Sequence, residues 1–375
     1  MKKIILVANV SKEHVLKFHV PTIKRLVEDG WQVDVACGGN DKVPYCHKQY
    51  ELPIDRSPFK SHFIKAIRQL RDIISQEQYD VVYCHTSVGG IVARIAANPF
   101  RRKGTRVVKF AHGTYFYKGA PWYNFALYYP LYKYLNYKTD SIITITQEDY
   151  EFTKRHFSSS KVYFLNGIGV NTSKYKVTDK ESIREQYRSE LSIPQDAIVM
   201  IYVAELIKNK NQSLLLKVLQ RVLAAYSNTY LVLAGPDHAD GKYQMMADQL
   251  GVSDHVRFLG WRDDIPNLYA ASDICTPSSI REGLGLNLIE AMAAGLPIVA
   301  TGNSGHSDIL NRDPECGYLS SFDDKVFAEN VIRLISDKGL RKEMGAKGIE
   351  ASLKYDNSTI VDRILEIVSD EHVVD

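Results

Sequence analysis

Long apolar runs, paired cysteines and a strong charge of one sign are all missing from this chain. No stretch of about 18 apolar residues occurs, so a membrane-spanning helix is not expected. The five cysteines, Cys37, Cys46, Cys84, Cys275 and Cys316, are odd in number and widely spaced. With no CxxC pair they read as reduced cytosolic thiols and offer no metal-binding spacing. A formal net charge of +3 is too small for the basic face of a nucleic-acid ligand. Repeats and low-complexity tracts are absent. No GxGxxG follows the first apolar run, where ANVSKEH stands instead, which argues against an NAD-dependent oxidoreductase. The N-terminal MKKIILVANV begins like a secretory signal, but Asn9, Lys12 and Glu13 interrupt it too early, and a first buried strand is expected.

What is present suits a soluble α/β protein of two domains. At 375 residues the chain is too long for one ordinary core, and 45% hydrophobic with 24% charged residues is a globular composition. Apolar runs alternate with helical patterns: KIILVANV, a helix between Lys17 and Asp29, WQVDVACGG, then strands at Asp80–Cys84, Thr105–Ala111 and Ser141–Ile145. A second series starts with IVMIYVAEL at Ile198, with a helix over Ser213–Ala225, then TYLVLAG, HVRFLG, DICTPS and LPIVAT. The divisions expected are residues 1–165, 166–355 and a terminal helix in 356–375. The polar, then charged, stretch after Asn166 reads as an interdomain segment.

Ligands of open parallel sheets bind beyond the carboxyl ends of strands. The most informative residues lie there. Glu282-Gly-Leu-Gly-Leu-Asn-Leu-Ile-Glu290 sets two carboxylates around a glycine-rich turn, with a helix running on. Backbone N–H groups of Leu284, Gly285 and Leu286 at a helix start suit a diphosphate. The carboxylates would repel that diphosphate, so they suit sugar and ribose hydroxyls. Lys210 follows the strand VAEL, Trp261 and Arg262 follow FLG, and His306 follows VAT. In the first half, His112-Gly113 and His85-Thr86 each end a strand, with His14 and His19 as further candidates. Tyr115–Tyr137 holds eight tyrosines, two phenylalanines and a tryptophan, with Lys118 and Lys133 among them. That mixture favours a membrane interface. Two basic stretches, Arg56 to Arg71 and Arg101 to Arg106, suggest further contact with anionic lipid.

The Glu282-x7-Glu290 motif, AELIKNKNQ and FAHGTYFYKGAP resemble retaining glycosyltransferases of family four, in the branch that builds capsule and exopolysaccharide repeat units. The resemblance covers nearly the whole chain. It implies the GT-B fold, two Rossmann-like doubly wound domains facing across a cleft, the first binding acceptor and the second the nucleotide-sugar. It implies transfer of a hexose or N-acetylhexosamine from a UDP-sugar to a polyprenyl-diphosphate-linked saccharide, at the inner face of the cell membrane, with retention. His112 and Glu282 would be catalytic. Lys210, Leu284, Gly285, Leu286, Glu290, Trp261 and Arg262 would hold the donor, with Glu290 opening the helix. His85, Thr86, Tyr115, Tyr117 and Lys118 would line the acceptor side. No cofactor and no metal are expected, since no Asp-x-Asp stands at a strand end. The chain departs from the family pattern at Ala204 and Glu205, where glycine and arginine are common. A UDP-sugar epimerase and a catalytically inactive GT-B scaffold are the competing readings.

Overall fold

The computed structural model describes residues 1–54, 62–113, 116, 120–157 and 159–370. The chain forms two compact units, Met1–Gly169 with the segment from Asn357 onward, and Val170–Asp356. Each is a parallel sheet flanked by helices, so the doubly wound expectation is met in both.

In the first unit the strands are β1 (Lys3–Val10), β2 (Gln32–Gly38), β3 (Lys48–Glu51), β4 (Val81–Cys84), β5 (Arg106–Ala111), β6 (Ser141–Thr144) and β7 (Lys161–Phe164). Their order is β3-β2-β1-β4-β5-β6-β7, all parallel. The central strands are buried along their whole length, as a sheet covered on both faces requires. The edge strand β3, KQYE, carries no apolar alternation and was invisible in the sequence. The helix Asn357–Ser369 belongs to this unit. Arg106 donates from both terminal nitrogens to the Ile367 and Val368 carbonyls at 3.0 Å, satisfying orphan acceptors of its last turn. Arg25 bonds Asp362 at 3.1 Å.

The second unit orders β8 (Ile198–Val203), β9 (Thr229–Ala234), β10 (Val256–Gly260), β11 (Ile274–Cys275), β12 (Ile298–Thr301) and β13 (Gly317–Ser320) as β10-β9-β8-β11-β12-β13. Residues from Val170, read in the sequence as an interdomain segment, are part of this unit. Their helix Lys180–Glu190 is anchored by Arg188, which is fully buried. Its guanidinium donates to the Ala197 and Ala271 carbonyls at 2.7 and 3.1 Å and pairs with Asp273 at 2.8 Å.

Candidate active site

In the second unit the loops after β8, β11 and β12 meet at the carboxyl edge of the sheet. A tight turn over Lys208–Lys210 leads into Asn211, which holds a left-handed φ of 55° at the start of the helix Gln212–Leu223. Non-glycine residues in that conformation are uncommon and persist where the surroundings impose them. Here Ser278, after β11, donates its hydroxyl to the Lys210 and Asn211 carbonyls at 2.8 and 3.2 Å. Behind this turn, the loop after β9 lies against Ala204: a Cβ on Gly235 would sit 2.1 Å from the Ala204 carbonyl oxygen.

These supports bring two predicted site residues together. Lys210 Nζ lies 2.5 Å from Glu282 Oε1, and the same oxygen accepts from Ser279 Oγ at 2.6 Å. Ser279 is itself 2.6 Å from the Tyr202 hydroxyl, and its carbonyl accepts from Thr301 and Asn303 at 2.7 and 2.9 Å. The carboxylate is therefore held by a buried hydroxyl chain that ends on β8. Sequence reading gave Lys210 and Glu282 separate tasks; the geometry makes them one charge pair.

Gly285 caps the helix Leu286–Ala293, where a Cβ would meet His306 Cδ2 and Leu288 Cδ1, each at 2.9 Å. Leu286 N–H donates to the Leu284 carbonyl at 3.0 Å. That turn engages the Leu286 amide, so Leu284 and Gly285 are the better-placed anion donors. His306 is fully buried in the helix Ser304–Leu310. Its Nδ1 stands 2.9 Å from both the Thr301 carbonyl oxygen and Asn303 Nδ2. Burial lowers its pKa to about 4.

One expectation needs correction here. Glu290 does not open the helix; it is the fifth residue, a full turn in, where Tyr269 donates to it at 3.4 Å. Arg262 is engaged by Asp264 at 2.8 and 2.5 Å and by Glu190 at 3.2 Å. Its pairing with Asp264 pushes its pKa up. Trp261 beside it is largely exposed.

In the first unit, β1 runs into a π-turn over Ser11–Val15, and β4 into the helix Ser87–Arg101. Thr86 joins β4 to that helix at φ 57°, strained for a β-branched residue. Its hydroxyl donates to Asn9 Oδ1 at 2.7 Å, an oxygen that also takes the Gly89 amide at 2.6 Å. Gly89 and Gly90 allow close approach: Cβ atoms there would lie 2.9 Å from the Ala8 carbonyl carbon and 2.8 Å from Lys109 Nζ.

His14, His19, His85 and His112 come together at these strand ends, one ring nitrogen of each within 4.8 Å of the others. His14 and His19 face each other at 3.2 Å, His85 and His112 at 3.3 Å. Burial holds the pKa of all four down, to about 4 for His14, so they are neutral near pH 7. Neutral imidazoles so placed have the composition of a transition-metal ligand set. Sequence spacing gave no sign of the cluster, since three of its members come from separate βα connections. His85, expected on the acceptor side, is fully buried with its ring 3.9 Å from that of His19. Tyr115, Tyr117 and Lys118 lie outside the described residues.

Sequence reasoning missed Arg94 and Lys109. Arg94 sits in the otherwise apolar run IVARIAA and Lys109 in VVKFA, and both are buried. A cation inside a buried run was the available signal.

The comparisons agree with this architecture. Residues 3–146 match the family described as glycosyl transferase 4-like, and residues 183–351 match glycosyl transferases group 1. The chain is 38% identical over 373 residues to EpsD of Bacillus subtilis (strain 168), whose name designates a glycosyltransferase. That match covers 98% of this chain and 96% of EpsD. It is 26% identical over 287 residues to the Escherichia coli UDP-Gal:alpha-D-GlcNAc-diphosphoundecaprenol alpha-1,3-galactosyltransferase, 74% of this chain and 72% of that one. Among solved structures, HepE of Anabaena in complex with UDP and glucose superposes with a TM-score of 0.79 at 20% identity, covering 98% of this chain and all of HepE. Fold, matched families and full-length relative converge: the chain belongs to the group 1 glycosyltransferases and has their two-domain GT-B fold.

Proposed function

We propose that this glycosyltransferase moves a hexose or N-acetylhexosamine from a UDP-sugar to a polyprenyl-diphosphate-linked saccharide, with retention of configuration, in the assembly of capsule or exopolysaccharide repeat units. The observation that carries the reading is the Lys210–Glu282–Ser279 arrangement beside the Gly285 turn at the carboxyl edge of the second sheet. The E. coli relative, whose name gives a UDP-galactose donor and a diphosphoundecaprenol acceptor, supports it.

On this reading Lys210 and the Leu284 and Gly285 amides stabilise charge developing on the departing diphosphate, so no metal ion takes part. Glu282 accepts hydrogen bonds from hydroxyls of the transferred sugar, and Glu290 from the ribose. Trp261 borders the base. Thr86 and His112 act on the acceptor side, with His112 near the reacting centre and attack on the front face of the sugar. The helix Trp122–Asn136 supplies membrane contact at the inner face of the cell membrane. Trp122, Tyr123, Leu127, Tyr134 and Tyr137 on and beside it are exposed. Among the described residues no helix is long and apolar enough to cross a membrane. Two of the basic residues sought for lipid contact are engaged within the unit: Arg101 pairs with Asp140, and Arg106 caps the terminal helix.

The test is transfer from a panel of UDP-sugars to a polyprenyl-diphosphate saccharide in EDTA, with the anomeric outcome read by NMR. Thermal shift with UDP, GDP and NAD precedes it. Stabilisation by UDP alone supports the donor assignment. No transfer from any UDP-sugar, or transfer that EDTA abolishes, refutes the proposal as written.

A further inference from the structure

A cavity of about 210 Å³ opens in the first unit beside the start of the helix Ser87–Arg101. Its walls include Thr86, Ser87, Arg94, Lys109, His112 and Tyr132. Two cations in one cavity wall is unusual chemistry for the inside of a protein. Arg94 is 2% exposed and Lys109 5%. A buried charge is tolerated when it is paired, and an uncompensated one is strongly unfavourable.

Among the described residues neither side chain has a carboxylate within ion-pair distance. Arg94 donates from Nε to the Gly90 carbonyl at 2.9 Å and lies over the Tyr132 ring, while its buried Nη2 has no hydrogen-bond partner. Lys109 Nζ donates to the Thr86 carbonyl at 2.5 Å. Burial depresses both pKa values, that of Lys109 to about 7, and the Arg94 charge adds to the lowering at Lys109. The helix start adds the positive end of its dipole, and the half-buried His112 adds a ring that can donate.

We infer that this cavity is an oxyanion site that takes a phosphate or diphosphate group between Arg94, Lys109 and His112. Taken with the acceptor proposed above, on which this refinement rests, the group is the diphosphate of the lipid-linked saccharide. The anion supplies the counter-charge that the described residues do not. It gives Arg94 Nη2 an acceptor, for which guanidinium and phosphate are matched. The same electrostatics weigh against a metal at the adjoining histidines: the Lys109 charge acts on all four imidazoles, and among the described residues no carboxylate belongs to the cluster.

Calorimetry with inorganic pyrophosphate on the full chain tests the inference, comparing Arg94→Gln and Lys109→Met with Lys210→Ala. The expected result is binding weakened at least tenfold by Arg94→Gln, with one pyrophosphate site retained in Lys210→Ala. Far-UV circular dichroism identifies a variant that has not folded, and Arg94→Lys, which keeps the charge, is expected to recover part of the affinity. Pyrophosphate binding to Lys210→Ala that survives the addition of both Arg94→Gln and Lys109→Met overturns the site, and so does pyrophosphate binding that Lys210→Ala alone removes. So does tight Zn²⁺ binding with no pyrophosphate binding. A farnesyl diphosphate arm separates the sources: much tighter binding than pyrophosphate supports a lipid-borne diphosphate, and equal binding supports a soluble oxyanion at the same site. Failure of sugar transfer with Arg94-dependent pyrophosphate binding intact sinks the acceptor reading alone.

Discussion

Removing Glu282 should not weaken nucleotide binding, although the residue lies in the middle of the proposed donor site. Lys210 and Glu282 are 2.5 Å apart, with side chains 23% and 15% exposed. At an effective dielectric of about 20 such a pair interacts with about 7 kcal/mol before desolvation is subtracted. What survives as measured coupling between contacting groups is about 0.5–3 kcal/mol. A bound diphosphate competes with Glu282 for Lys210. Lys210→Ala is therefore expected to cost about 1.5–3 kcal/mol of UDP affinity, roughly 10- to 150-fold, with a smaller loss for UMP. Glu282→Gln should leave UDP affinity unchanged or slightly raised while lowering turnover. In the double variant the effect of Glu282→Gln on UDP affinity should vanish. Calorimetry on the four proteins closes the cycle. Equal losses of UDP affinity in the two single variants would refute both the competition and the division of roles.

Three further outcomes are expected. His306 has a folded pKa of about 4 against 6.5 when unfolded. The unfolded chain takes up its proton first as pH falls, so stability should drop between about pH 6.5 and 4 by on the order of 3 kcal/mol. Urea midpoints across that range should show a shallower slope in His306→Asn; an unchanged slope would contradict the assignment. Gly235→Ala places a methyl against the backbone oxygen of Ala204 at a φ of 155°, and should destabilise by about 2 kcal/mol or more in chemical denaturation. Trp122→Ser with Leu127→Ser removes two exposed apolar groups, so stability should change by less than about 0.5 kcal/mol per site while sedimentation with anionic vesicles falls. Undiminished sedimentation would rule this helix out as the membrane contact.

The legible parts of the sequence were those written in periodicity or in a dense local motif. β1, β8, β9 and β12 are largely buried strands built on uninterrupted apolar runs, and β5 shows the same pattern broken by Lys109. β3 and β13, KQYE and GYLS, are short edge strands whose identity comes from the neighbour they pair with, and no local pattern marks them. The same divide holds at the site. Glu282 to Glu290 could be found because its residues are adjacent in sequence. Its internal geometry could not: helix onset at Leu286 rather than at Glu290 depends on the Gly285 turn packing against His306. Arg262 illustrates a different loss, since its partner Asp264 is two residues away but Glu190 lies 72 residues back.

The two units handle charge in opposite ways, and that contrast bears on how the chain works. In the second, every cation followed at the site has an acid beside it: Lys210 has Glu282, Arg262 has Asp264 and Arg188 has Asp273. On the proposed donor reading, a diphosphate arriving there would exchange one anionic partner of Lys210 for another, so binding would cost little new desolvation and selectivity would fall to the glycine turn and the hydroxyl contacts. In the first unit, Arg94 and Lys109 are buried beside a cavity without an acid among the described residues, and four neutral imidazoles adjoin them. Folding has already carried the cost of desolvating those cations, so an oxyanion entering the cavity recovers it as affinity. The stability of this unit should accordingly respond to oxyanions more steeply than to salt at equal ionic strength. Thermal melts in pyrophosphate against sodium chloride measure that difference, and identical curves would mean that Arg94 and Lys109 are compensated within the fold.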